Sequence, residues 1–172
     1  MNFWQTLLSS GLGAAFGSIV AGIISLLIFY HQIKKQRQEE FNSTKQCLKH
    51  ELEYNMIVYS QLIAKLEKIM AQLDAGARDI VVNLEYEYVL GFYSKKAYES
   101  GVFAEYISPE EMYQWNKSLS LIMDGKQASI VSDIEAWNNK LLDDDAVKRS
   151  VYHEYSCLYE AKTFGEQFIE RL

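Results

Sequence analysis

The chain has 172 residues, 49% of them hydrophobic and 13% aromatic, with a single proline, Pro109. That composition excludes a disordered or low-complexity chain and fits one compact helical domain plus a further segment. The net charge of −6 lacks the basic excess of a non-specific nucleic-acid binder, and two cysteines outside any CxxC pair, Cys47 and Cys157, exclude a disulfide framework.

Charge is placed unevenly. No Lys, Arg, Asp or Glu precedes Lys34, and the uncharged run from Leu7 to Tyr30 is 24 residues long. As a helix it extends about 36 Å, enough to cross a hydrocarbon core of about 30 Å with some tilt. A soluble core helix of that length needs protein on every side, which the remaining chain is too small to supply. A cleaved signal has a basic leader and a shorter apolar stretch. Residues 1–30 are therefore expected to be a transmembrane segment. Lys34, Lys35 and Arg37 follow it directly, so the positive-inside rule puts that side in the cytoplasm and the short amino terminus outside. The same three side chains are expected to touch anionic lipid headgroups. Trp4 and Tyr30 flank the run, where amphipathic aromatics favour the interface.

Small residues form two adjacent stripes on this helix. Gly13, Gly17, Ala21 and Ser25 recur at i+4, as do Ser10, Ala14, Ser18 and Gly22. Pairing two apolar helices in lipid gains nothing hydrophobic, so association needs the close backbone approach that small residues permit. A dimer uses one self-complementary face, whereas a ring uses two that meet heterologously. Two stripes thus point to a homo-oligomer larger than a dimer, against the plain alternative that Gly and Ala are common in membrane spans. Gln5, Thr6, Ser9 and Ser10 near the outer end either line an opening or sit among headgroups.

Residues 31–172 are expected to fold as a cytoplasmic bundle of four or five helices, the first continuous with the span; the chain is all-α. Leu48, Leu52, Asn55, Tyr59, Leu62, Leu66, Ile69 and Leu73 make one buried stripe at helical spacing, ending near Gly76. Asn55, its polar member, makes a buried hydrogen bond or fixes register. The stretch IVVNLEYEYV reads as strand or helix, and helix is preferred because nothing nearby offers a partner strand. SKKAYESG reads as a short capped helix. Ser108, Pro109 and Glu111 spell a capping box. The helix behind it carries Met112, Trp115, Leu119, Ile122 and Met123, with a bend at Gly125. Its apolar face continues through Ile130, Ile134, Trp137, Leu141 and Leu142. Asp144 or Asp145 is expected to cap a last helix that buries Val147, Val151, Tyr155, Leu158, Phe164 and Phe168.

Chemistry-bearing residues are sparse. His31, His50 and His153 do not cluster at metal-ligand spacing, so no metal or cofactor is expected. The one constellation lies in KRSVYH: Arg149 and His153 are i and i+4 and share a helix face, with Glu160 near the same line and Ser156 to one side. A guanidinium beside an imidazole can contact phosphate or move a proton. The bland alternative is a solvated face.

A Gly- and Ala-rich amino-terminal span, a basic junction, and a helical domain with Arg149 and His153 late in the chain resemble one family. It is the small single-pass membrane accessory proteins that accompany the RNA-guided RNase of type VI-B CRISPR systems. The resemblance implies a divergent HEPN-like fold and a ring of copies whose spans form a pore in the bacterial inner membrane. It also implies a functional link to the RNase, strengthening antiviral defence. The HEPN ribonuclease motif is Arg, four to six residues, then His. Here only three residues separate Arg149 from His153, and Lys148, at the right spacing, lacks the planar fork that grips phosphate. The resemblance therefore implies fold and membrane role more than catalysis. A membrane-tethered ribonuclease and a non-catalytic anchor for a partner are the competing functions, and direct nucleic-acid binding is disfavoured by the acidic balance.

Overall fold

The computed structural model describes residues 3–84, 86–123 and 126–172, and their side chains except at 3–13, 15, 87 and 117–129. Among the described residues every regular element is helical: α1 (Phe3–Asp74), a 3-10 turn (Tyr86–Tyr88), α2 (Phe92–Glu99), α3 (Val102–Tyr106), α4 (Pro109–Met123), α5 (Lys126–Asn138) and α6 (Asp144–Arg171). Contacts divide the chain into two units, Met1–Ser43 and Thr44–Leu172. The division falls later than the hydropathy boundary after Tyr30.

In the first unit α1 carries its apolar side chains outward in all directions, from Phe16 to Tyr30, with none buried. α1 is the one described helix long and apolar enough to cross a membrane. The helical propensity of its Leu, Ile and Ala residues explains the element, and the absence of Pro leaves nothing to break it. Ser18 turns its hydroxyl back to the Ala14 carbonyl at 2.8 Å, so its polar group is satisfied within the helix.

The second unit is organised on the predicted stripe. All eight of its members, Leu48 to Leu73, are buried. α1 ends as the sequence suggests: Gly76 takes φ +69°, Gly76 N–H reaches Leu73 O at 3.1 Å and Ala77 N–H reaches Gln72 O at 2.9 Å, a Schellman closure. Asn55 resolves to a hydrogen-bonding role. Its amide donates to Leu90 O at 2.7 Å and its oxygen accepts from Leu90 N–H at 2.9 Å.

The stretch expected to be helical from Asp79 is not. Outside the turn at Tyr86–Tyr88 its described residues have no regular structure as far as Gly91. Asn138 holds its start as Asn55 holds its end, accepting from Ile80 N–H at 3.2 Å and donating to Ile80 O at 3.0 Å. Two carboxamides thus satisfy the backbone groups of Ile80 and Leu90, at the two ends of the segment, as a partner strand would. Ile80, Leu84 and Tyr86 face the core while Val81 and Asn83 face solvent.

α2 has Gly91 before it, which brings no capping side chain; Glu51 of α1 supplies one from afar. Its carboxylate accepts Tyr93 N–H at 2.7 Å, Ser94 N–H at 2.8 Å and the Ser94 hydroxyl at 2.6 Å, which both satisfies orphan donors and complements the helix dipole. α4 begins at Pro109 with the expected capping box: Ser108 N–H donates to Glu111 Oε2 at 2.8 Å and Glu111 N–H to Ser108 Oγ at 3.2 Å. The sequence's Gly125 bend, and the side chains of Leu119, Ile122 and Met123, lie outside the described residues.

Two further expectations are corrected. α5 ends at Asn138, so Leu141 does not extend its apolar face and is 80% exposed, while Leu142 packs partly on the core. The N-cap of α6 is Asp143, accepting from Ala146 N–H at 2.7 Å, not Asp144 or Asp145. Asp144 is engaged elsewhere, accepting Trp137 Nε1–H at 2.6 Å. Tyr155 and Phe164, expected inside, are only half-buried.

α6 closes the unit. Phe168 stacks on Phe103 at 5.4 Å, and Trp115 meets Phe164 and Phe168 edge-on at 4.9 and 5.3 Å. At its end Arg171 pairs with Glu111 at 2.8 Å. The hydrogen bond from Arg171, then that from Ser108 N–H, draws the Glu111 carboxyl down from 4.5 to about 2. Because the folded value lies below the unfolded one, this group contributes stability above pH 4.5 and loses it as pH falls towards 2. Glu111→Gln is expected to melt below the parent near neutrality and together with it near pH 2. Thermal melts across that range check this; a gap independent of pH contradicts it.

Candidate functional site

In the first unit, the described members of the small-residue stripes, Ala14, Gly17, Ser18, Ala21, Gly22 and Ser25, are all exposed. A Cβ built at Gly17 or Gly22 meets nothing within 4 Å. A single copy therefore gives no packing reason for either glycine. The side chains at Ser10 and Gly13, with those at Gln5, Thr6 and Ser9, lie outside the described residues. Lys34, Lys35 and Arg37 are exposed, and Lys35 lies 3.8 Å from Glu39 one turn on.

In the second unit α6 presents Lys148, Arg149, Tyr152, His153 and Ser156 on neighbouring turns. Together with Met70 and Asp74 at the end of α1 they line a groove of about 460 Å³. Arg149 and His153 are thus brought to one cavity, both exposed, as their i, i+4 spacing predicts. Lys148 is committed to structure: its ammonium bonds Asp74 at 2.5 Å, and that bond raises its pKa. The His153 ring lies 3.9 Å from the Cys157 thiol. Glu160 is exposed on α6 and does not line the groove. Beside the groove Tyr152, Tyr155 and Tyr159 stack in a ladder, with centroids 6.4 and 6.1 Å apart. Burial, then Glu67, which accepts the Tyr155 hydroxyl at 3.4 Å, raises the Tyr155 pKa.

Behind this surface lies a pair the sequence reading missed. Glu154 is 1% exposed and accepts the Tyr86 hydroxyl at 2.5 Å. Burial first, then this carboxylate, pushes the Tyr86 pKa well above its ordinary value. The signal was available: Glu154 is three residues beyond Val151 and four before Leu158, hence on the buried arc of α6.

Comparison with protein-family models, curated proteins and solved structures gave no match to the chain. Among the described residues no three His, Cys, Asp or Glu side chains gather at metal-binding distance. The groove offers one guanidinium and one imidazole to an anion, and the order Arg149, three residues, His153 keeps it short of the HEPN spacing. From Phe16 to Tyr30 α1 offers an uncharged, exposed surface that carries members of both small-residue stripes.

Proposed function

We propose that this protein is a membrane-embedded accessory of RNA-guided antiviral immunity. Its copies assemble through their spans into a ring larger than a dimer that opens the bacterial inner membrane. One observation carries the reading. From Phe16 to Tyr30 α1 exposes apolar side chains on every side, and the glycines within it have open space around them. Water disfavours such a surface, whereas lipid accepts it, and small-residue stripes in lipid serve helix–helix contact. Lys34, Lys35 and Arg37 orient the span with the helical unit, HEPN-like in this reading, in the cytoplasm. The RNase is a functional partner, and the pore is the effector.

The test is membrane polarisation in cells whose RNA-guided RNase has been triggered. Dye entry and loss of potential are expected with the native chain. Both should vanish when the span is exchanged for an unrelated apolar helix of equal length. Retained polarisation with the native chain contradicts the pore, and full function after the exchange favours a plain anchor.

The groove supports a second reading, a membrane-tethered ribonuclease, since Arg149 and His153 line one cavity. In that case His153→Ala abolishes RNA cleavage by the purified chain. In the pore reading no RNA is cut to begin with, and depolarisation survives the substitution.

A further inference from the structure

A second cleft opens in the helical unit among α2, α3 and α4. Lys95, Tyr98, Phe103, Met112, Trp115 and Asn116 line it, around a volume of about 320 Å³. Its floor is aromatic. Phe103 and Trp115 are both buried and meet edge-on at 5.8 Å, and Trp115 passes the contact on to Phe164 and Phe168. Tyr98 also lines the cleft and is exposed. Met112 adds a polarisable thioether, which favours aromatic neighbours. Among the described lining residues Lys95 carries the one charge, and the Glu51 carboxylate lies behind the lining residue Ser94, accepting its N–H and hydroxyl at 2.8 and 2.6 Å. No carboxylate is among the lining residues, and Lys95 makes no ion pair among the described residues.

These features select a ligand. A concave, apolar and largely preformed cleft with a few polar groups at its edge is the usual form of a small-molecule site, and the volume lies at the lower end of the usual range. A flat ring entering it extends an existing edge-to-face cluster, an arrangement favourable beyond simple burial. The unpaired cation at the rim selects an anion on that ring, and the Asn116 carboxamide adds a neutral donor. We propose that this cleft binds a small planar aromatic acid, its ring against Tyr98, Met112 and Trp115 and its carboxylate on Lys95. The site lies wholly within the unit Thr44–Leu172; it requires neither the span nor assembly, so it stands or falls apart from the pore.

Fluorine NMR on the full chain in nanodiscs of zwitterionic lipid tests this, with para-fluorobenzoate as the probe and its neutral amide as the control. The acid is expected to broaden saturably and to bind more tightly than the amide. Lys95→Gln, at an exposed position, should weaken the acid about fivefold and leave the amide unchanged. Met112→Trp, which fills the cleft, should abolish both. Circular dichroism confirms that each variant remains helical. Absence of saturable binding overturns the proposal. So does equal binding of acid and amide, or a signal that persists in Met112→Trp or in empty nanodiscs.

Discussion

Replacing Trp137 with alanine is expected to cost the helical unit about 3–5 kcal/mol, the range for removing a buried indole. Trp137 is 1% exposed and belongs to the main core with Leu66, Ile69 and Val147. Its effect exceeds packing because three segments meet on it. Its indole N–H donates to Asp144 at the first turn of α6, 2.6 Å away. The Arg78 guanidinium lies over its ring, 4.2 Å from the centroid, and donates to its carbonyl at 3.3 Å. Arg78 also reaches Asp144 at 3.5 Å. Losing the indole removes the aromatic platform, takes from Asp144 its shorter hydrogen bond and opens a cavity at once. Urea denaturation followed by circular dichroism measures the loss. Trp137→Phe, which keeps most of the volume but not the N–H, should cost about 1–3 kcal/mol. A change below about 1 kcal/mol in the alanine variant contradicts this description of the core.

The second large effect is expected in the span. Gly17→Leu combined with Gly22→Leu places a bulky side chain on each stripe. Within one copy both positions are open, with nothing within 4 Å of an added Cβ, and leucine is the better helix former. The single chain should therefore insert and fold at least as well as before. Any loss must arise where another copy approaches, since a leucine there separates backbones that glycine lets touch. Cross-linking in membranes is expected to fall from a ladder of species to single copies, and triggered dye entry to disappear with it. Unchanged cross-linking in the double variant removes the packing argument. Single substitutions separate the two faces: in a ring, each stripe is one half of a heterologous contact, so either change alone should block closure.

Much of the helical unit was legible because its main signal is periodic. The stripe from Leu48 to Leu73 reports burial directly, and the capping box at Ser108 and the glycine stop at Gly76 are local codes that tertiary contacts did not override. What failed was set by distant partners. From Ile80 to Leu84 burial alternates with a period of two, yet among the described residues no strand pairs with them. Asn55 and Asn138 take that place, and both are remote in sequence from the segment they hold. The capping of α2 by Glu51 is equally non-local. Asp143, Asp144 and Asp145 are alike as local caps; the Trp137 indole, reaching Asp144, distinguishes them.

The candidate sites divide in the same way. The shared face of Arg149 and His153 follows from helical spacing, and the groove they line was foreseeable to that extent. Asp74 entered it from the far end of α1, a contact that spacing on α6 does not encode, and it occupies Lys148. Glu154 is hard to see in the sequence because a carboxylate on an apolar arc reads as an exception, and its partner Tyr86 lies in the segment that is irregular rather than helical. In the first unit, composition indicates a helix apolar enough to cross a membrane, and the apolar side chains from Phe16 to Tyr30 are all exposed.

The central claim, that identical copies gather through their spans, is tested most directly by native mass spectrometry of the full chain released from detergent, beside a chain beginning at His31. A full-length assembly of more than two copies, lost when the span is removed, is the expected result. A full-length chain that flies only as single copies, or is recovered without detergent from the soluble fraction, contradicts it.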